Sequence, residues 1–287
     1  FSDRYLEDVK FVQPDDIQRV ANTYLQPTNR TLYALLPEGG TPAMNGAHLQ
    51  HETGPIQKVE FSNGLTLLLK EDHRLPFVQL RGMFQGGVLA EKMGNSGITQ
   101  LMAKLLVKGT AKRTGQQIAE QIENVGGGID AYGGNNSFGI SAEVMSEDAA
   151  LGVELLADVI LNPSFPAEAL SRQREVQLAG IRAQDDKLLQ KTFSLMRENL
   201  FGAHGYGLNS LGTQESVEAL AADDLRAFHD QLAVPNNAVI AVFGDMDSAQ
   251  VRADLETAFG LWKRGGDYQV PKLLAGTQGK RRVADQK

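Results

Sequence analysis

The sequence predicts an α+β fold, an antiparallel-rich sheet with helices packed on one face. Three observations point there. Short apolar segments and longer amphipathic ones follow each other as hairpin, helices, hairpin, helices, strand, helix. Glycine-bearing turns join strand pairs directly, a connection open to antiparallel neighbours but not to parallel ones. The N-terminal stretch also returns near the other end in one register. Asp15-Asp16-Ile17 matches Asp223-Asp224-Leu225, Pro27-Thr28-Asn29 matches Pro235-Asn236-Asn237, and the strand-like run at 31–35 matches 239–243. A spacing of about 200 residues is too long for a solenoid and fits tandem homologous units.

Composition narrows the classes. A chain of 287 residues is long enough for more than one core. With 42% hydrophobic and 22% charged residues it reads as a globular protein rather than a disordered one. A net charge of −7 and a pI near 5.3 speak against nucleic-acid binding, which leaves a basic footprint. The absence of cysteine excludes disulfides and thiolate chemistry and leaves the redox compartment open. No apolar run approaches the ~18 residues of a membrane span. The sequence starts at Phe1 without a signal-peptide pattern and ends without a closing element, so it is expected to be a piece of a longer protein.

The elements follow in order. Pro14-Asp15-Asp16 opens a helix that Pro27 stops, and Arg30 to Leu36 reads as a strand. Residues 37–55 are rich in Gly, Pro, Ala and Thr and read as a linker. Its His48 and His51 have the spacing of a metal pair, but isolated linker histidines are ordinarily solvated. Val59–Phe61 and Leu65–Lys70 flank Asn63-Gly64, a hairpin signal, and Phe77–Phe84 is a third strand. Helices are expected over Gly97–Val107 and Gly115–Val125. Gly126-Gly127-Gly128 ends the second one. It is read as a structural corner, because no phosphate-loop pattern surrounds it. Strands at Ile129–Tyr132 and Ser137–Val144 follow, then a helix at Asp148–Leu161 and one long helix over Glu168–Leu200. His204 and Tyr206 sit in a glycine-rich loop with no nucleophile or carboxylate partner in evidence. A helix at Asp223–Gln231, a strand at Ala238–Gly244 and a helix at Asp247–Phe259 complete the order.

The segment Gly97–Thr110 raises the question of chemistry. Ile98, Leu101, Met102, Leu105 and Leu106 form one helix face. Gln100, Ala103, Lys104 and Val107 fall on the other, where periodicity alone predicts solvent. Two histidines one turn apart with a glutamate beside them would make a zinc site that activates water. Here that geometry carries an amide, a methyl and an ammonium.

The order of motifs resembles the pitrilysin/insulinase family of zinc peptidases, which includes mitochondrial processing peptidase and core proteins of the respiratory chain. Asn63-Gly64-Leu65 looks like the family's opening hairpin. Gly97-Ile98 and Lys108-Gly109-Thr110 frame its inverted zinc motif H-x-x-E-H. Gly127-Gly128-Ile129-Asp130-Ala131 resembles its second hairpin. Asn162-Pro163-Ser164-Phe165 through Arg174-Glu175-Val176 is similar to the approach to its distal glutamate. His204-Gly205-Tyr206-Gly207 and Phe259-Gly260-Leu261-Trp262 resemble its later loop and domain end.

The resemblance implies that the two ligand histidines fall on Gln100 and Lys104, the base on Ala103 and the distal glutamate near Ala179 or Gly180. No catalytic residue and no metal ligand remain, so this chain is expected to hold no zinc. It further implies a non-catalytic domain walling a peptide-binding chamber beside a catalytic homologous half, fused or separate, that carries the zinc. The alternative is a structural scaffold subunit, like the respiratory core proteins. Peptide would contact Asp130, Ala131 and Tyr132 by strand addition. The expected division is 1–40 as the tail of a preceding homologous domain, 41–56 as linker, 57–264 as a complete domain, and 265–287 as linker and the start of the next. Family habit places such proteins in the bacterial periplasm or cell envelope.

Overall fold

The computed structural model describes residues 12–24 and 54–272. The chain divides into two compact units, Phe1–Gln50 and His51–Lys287. In the first unit the described element is α1, Pro14–Tyr24. Asp15 and Asp16 occupy its first turn, where free N–H groups favour negative charge, and Asp16 accepts from Gln13 N–H at 3.1 Å. The expected strand at 30–36, the histidines His48 and His51, and the segment 280–287 lie outside the described residues.

The second unit is built on a six-stranded sheet in the order β1-β2-β6-β3-β5-β4. The strands are β1 Gln57–Glu60, β2 Thr66–Glu71, β3 Phe77–Gln85, β4 Gly128–Gly133, β5 Ser137–Met145 and β6 Ala238–Gly244. Every neighbouring pair is antiparallel except β2 with β6. The first hairpin turns at Asn63-Gly64. The Asn63 side chain also donates to the carbonyls of Phe259 and Trp262, at 2.9 and 3.1 Å, and so pins the chain's last helix to the turn.

Alternation divides the sheet into two faces. Leu67 and Leu69, Val78, Leu80 and Phe84, Phe138, Ile140 and Val144, and Ile240 and Val242 are buried on one. Gln79, Arg81, Glu143, Met145 and Phe243 stand on the other, which is open. The expectation of an antiparallel-rich sheet with helices on one face holds. The helices of this unit are α2 Ile98–Leu106, α3 Gly115–Glu123, α4 Ala149–Leu161, α5 Ala167–Asp185, α6 Leu188–Phe201, α7 Gln214–Ala219, α8 Ala222–Leu232 and α9 Ser248–Phe259. Leu101, Met102 and Leu105 of α2 and Leu155, Leu156 and Val159 of α4 fill the core against the sheet. The triple glycine is a corner: Gly126 has φ +68°, and a Cβ on Gly127 would stand 2.5 Å from the carbonyl oxygen of Glu143.

Two expectations are corrected. The single helix over 168–200 is two, α5 and α6, with Lys187 extended at φ −103°, ψ 100° between them. Asp186 stands at the end of α5, where the helix dipole disfavours an acid. Residues 214–219, unassigned from the sequence, form α7. Its cap is reciprocal: Thr213 Oγ1 accepts from Ser216 N–H at 3.1 Å, and Ser216 Oγ from Thr213 N–H at 3.0 Å. Serine stands there in place of the usual Glu or Gln, which hid the signal.

The Lys108-Gly109-Thr110 stop is tied to α4 by a buried carboxylate. Asp158 Oδ2 accepts from Thr110 Oγ1 at 2.7 Å and from Arg113 at 2.8 Å, and Oδ1 accepts from Asn162 at 2.9 Å. Burial pushes this carboxyl up, but the hydrogen bonds from Thr110, Arg113 and Asn162 and the guanidinium charge outweigh it, leaving the pKa below the usual value. Asp158→Ala would leave Thr110 Oγ1 and one Arg113 nitrogen without this acceptor, while Arg113 keeps Glu154 and Gln121. It should cost about 2 kcal/mol, and Thr110→Val about 1 kcal/mol, both read from urea midpoints.

Candidate functional site

The start of α2 fixes the site. Gly97 is its N-cap at φ +88°, and a Cβ there would lie 2.4 Å from the Leu211 carbonyl oxygen, so only glycine fits. Glu91 arrives from the turns after β3. Its Oε2 accepts from Gly97 N–H at 2.8 Å and its Oε1 from Thr99 N–H at 3.0 Å. Two of the helix's free donors are thereby satisfied by a buried carboxyl. From α5, Gln177 donates to the carbonyls of Gly97 and Leu211 at 3.0 and 2.8 Å. Ser216 Oγ of α7 donates to Ser96 O at 2.8 Å. Four segments thus meet at one helix end.

Along α2, Ala103 is fully buried, while Gln100 and Lys104 reach sideways to β4. Gln100 Nε2 donates to Gly133 O at 2.6 Å. Lys104 Nζ lies 3.4 Å from Ala131 O and 3.6 Å from Asp130 Oδ1. The expectation that this face meets solvent is therefore corrected: α2 runs beside the sheet's last strand, and its polar side chains bond that strand's backbone. Gly180 lies one turn beyond Gln177 on α5. A Cβ on it would meet Leu211 Cδ1 at 3.3 Å and nothing else within 4 Å.

This donor set does not fit zinc. Tetrahedral zinc sites draw on about three lone-pair donors of the His, Cys, Asp or Glu type. These four positions offer an amide already bonded to a carbonyl, a methyl, an ammonium and a glycine. Elsewhere among the described residues no group of three or more His, Asp and Glu could hold a metal.

Asp130, Ala131 and Tyr132 lie on β4, the sheet's edge strand. Gly134 N–H donates to Ser137 O at 2.8 Å, so Gly134 points toward β5. By alternation Tyr132 and Asp130 point the same way, and Gly133, Ala131 and Ile129 turn outward. The carbonyls of Gly133 and Ala131 that Gln100 and Lys104 engage are therefore those a further strand would use.

His204 and Tyr206 are brought together, with His204 Nδ1 accepting from Tyr206 N–H at 3.3 Å. Nε2 faces Pro271 O at 3.3 Å and so carries the proton. Among the described residues neither meets a carboxylate or nucleophile. Glu91 and Gln177, which hold the site, escaped the sequence reading: one lies in a turn, the other is an unremarked polar residue inside a helix.

Burial raises the Glu91 carboxyl to about 7 against 4.5 unperturbed, even though the Thr99 and Gly97 hydrogen bonds pull the other way. A carboxyl with a raised folded pKa binds more protons in the native state across that interval. Its contribution is present below about pH 4.5 and is lost as pH rises to about 7, by about 3 kcal/mol in all. Urea midpoints of the wild type should therefore fall relative to Glu91→Gln between pH 4.5 and pH 7.5.

The model of the insulinase family, peptidase family M16, matches residues 66–214, more than half of the chain, and that of the peptidase M16 inactive domain matches residues 219–287. The β subunit of mitochondrial-processing peptidase from Blastocladiella emersonii is 27% identical over 209 residues, covering 73% of this chain and 45% of that one. An uncharacterized zinc protease of Mycobacterium leprae is 33% identical over 176 residues, covering 61% and 40%. Among solved structures, a peptidase M16 inactive domain from Pseudomonas fluorescens superposes with a TM-score of 0.72 at 24% identity, over 77% of this chain and 54% of that one. The periplasmic protease PqqL of Escherichia coli gives 0.67 at 18% identity, over 75% and 25%. The chain spans about half the length, or less, of the curated relatives it matches. It belongs to the insulinase family, peptidase family M16.

Proposed function

We propose that this chain is a non-catalytic domain of a zinc metallopeptidase. It forms part of the wall of a peptide-binding chamber, beside a homologous catalytic half, fused or separate, that carries the zinc. The observation behind this reading is the α2 face, where Gln100 and Lys104 are committed to β4 and Ala103 is buried between them; the family resemblance makes these the positions of both ligands and the base. Without a carboxylate at 103, even a stray metal ion would lack a group to take a proton from its water.

Residues 57–264 would form one complete domain, after the tail of another at 1–40 and a linker at 41–56, with the next domain beginning within 265–287. The periplasm or cell envelope is the proposed location, by analogy with PqqL, whose name gives it as periplasmic. No helix among the described residues is long and apolar enough to cross a membrane.

Asp130, Ala131 and Tyr132 are the proposed peptide contact. Strand addition needs outward backbone groups, and β4 is an edge strand that turns Ile129 and Ala131 outward. The half-exposed Lys104, at 3.4 Å, is the looser of the two side chains on this edge and would swing aside. The same two bonds favour a second reading: an edge already satisfied from within suits a scaffold subunit, as in the respiratory core proteins.

Elemental analysis of tag-free protein should find well under one zinc per chain. Stoichiometric zinc that survives mild chelation, or cleavage blocked by o-phenanthroline and following the protein peak, would overturn the non-catalytic assignment. Millimolar peptide should shift the backbone amides of 129–133. Lys104→Ala, which frees the Ala131 carbonyl, should tighten binding about fivefold, the equivalent of about 1 kcal/mol. Unchanged amides in both proteins would remove the contact and leave the scaffold reading.

A further inference from the structure

Helix α6 wears its amphipathicity inside out. Leu189, Phe193, Met196 and Leu200 follow each other at intervals of four, three and four residues, which keeps them within a narrow arc of one face. That face points away from the domain: the four are 69%, 54%, 47% and 57% exposed. Lys191, Ser194, Leu195, Arg197 and Phe201 are the half-buried residues on the inner side. Arg197 there donates to the carbonyls of Tyr206 and Leu208, at 2.9 and 3.1 Å, and the Phe201 ring packs edge-on against Tyr206 at 5.6 Å. The stripe is about 16 Å long at 1.5 Å per residue. A continuous apolar strip of that length facing water marks an interface.

We propose that this stripe is the seat of a further domain of the same protein, tethered through the segment that leaves Lys272. Two observations name that occupant. Residues 266–269, Pro271 and Lys272 share one groove of about 2150 Å³ with Arg197, Leu200 and Phe201, and Pro271 O meets His204 Nε2 at 3.3 Å. The polypeptide leaving Lys272 is thereby delivered beside the C-terminal end of α6. The inactive-domain model runs through residue 287, and the Pseudomonas fluorescens structure has nearly as much chain again, since this sequence covers 54% of it. The stripe itself carries no charge, as suits an apolar partner face tethered by the chain rather than one steered to it.

The chain has no cysteine, so single thiols report directly. Phe193→Cys and Met196→Cys test the stripe, and Leu75→Cys, at an exposed turn, is the control. All three should react quickly with a maleimide in the 287-residue chain. In the longer protein that includes the next domain, positions 193 and 196 should slow by about tenfold or more while position 75 is unchanged. Hydrogen exchange of the α6 amides should show the same protection without any substitution. Equal rates in the two proteins overturn the proposal. So does protection in the 287-residue chain that grows with its own concentration, which would assign the stripe to a second copy. Protection that appears only with vesicles of anionic phospholipid, assigning it to a membrane surface, overturns it as well.

Discussion

The buried Glu91 carboxyl on the first N–H groups of α2 is the contact on which the rest of this domain turns. An α-helix leaves four N–H groups free at its start, and burying them unmet would cost several hydrogen bonds at once. Glu91 meets two of them, and Gln177 meets the Gly97 carbonyl beside them. The glycine at the cap lets the Leu211 backbone come within contact. With its end so fixed, α2 can be driven into the core through Leu101, Met102 and Leu105, and its other face is placed against β4. A carboxyl held this far from water is a cost that only its exact partners offset, which is why protonation of this one group is linked to the folding of the domain.

Most of the sheet was legible in the sequence because its signals are local. Asn63-Gly64 marks a turn, and β3, β5 and β6 alternate or run apolar for their length, so strand, partner and buried face follow from short stretches. The parts that were not legible depend on what packs against them. The break at Asp186-Lys187 has no proline or glycine to announce it. Gln100 and Lys104 read as a solvent face because periodicity describes the helix and not its neighbour. The stripe on α6 has the same origin: a period identifies a face but not the side to which it turns. The family was legible only through motif order, since Gln100, Ala103 and Lys104 carry no chemistry by themselves that points to a peptidase.

Gln100 and Lys104 meet two backbone carbonyls at this edge, while Thr99 Oγ1 beside them is buried without a hydrogen-bond partner among the described residues. The β4 carbonyls that turn outward beside α2 need donors or water. Glutamine and lysine are long enough to reach them, and both bring N–H groups. This pair of hydrogen bonds fastens the helix to the strand. Ala103 between them is small enough to be buried without a partner.

That fastening also bears on how such a domain could take part in peptide handling. An edge strand offers outward groups only on alternate residues, so each carbonyl engaged by α2 is lost to an incoming strand. Gln100 holds Gly133 closely, whereas Lys104 is half exposed and lies at the limit of hydrogen bonding from Ala131. The edge is thus firmly closed at one end and loosely at the other. Exchange of the lysine bond for a peptide bond trades like for like, and yields little net energy. An edge built in this way is suited to weak contact with an extended chain rather than to tight capture.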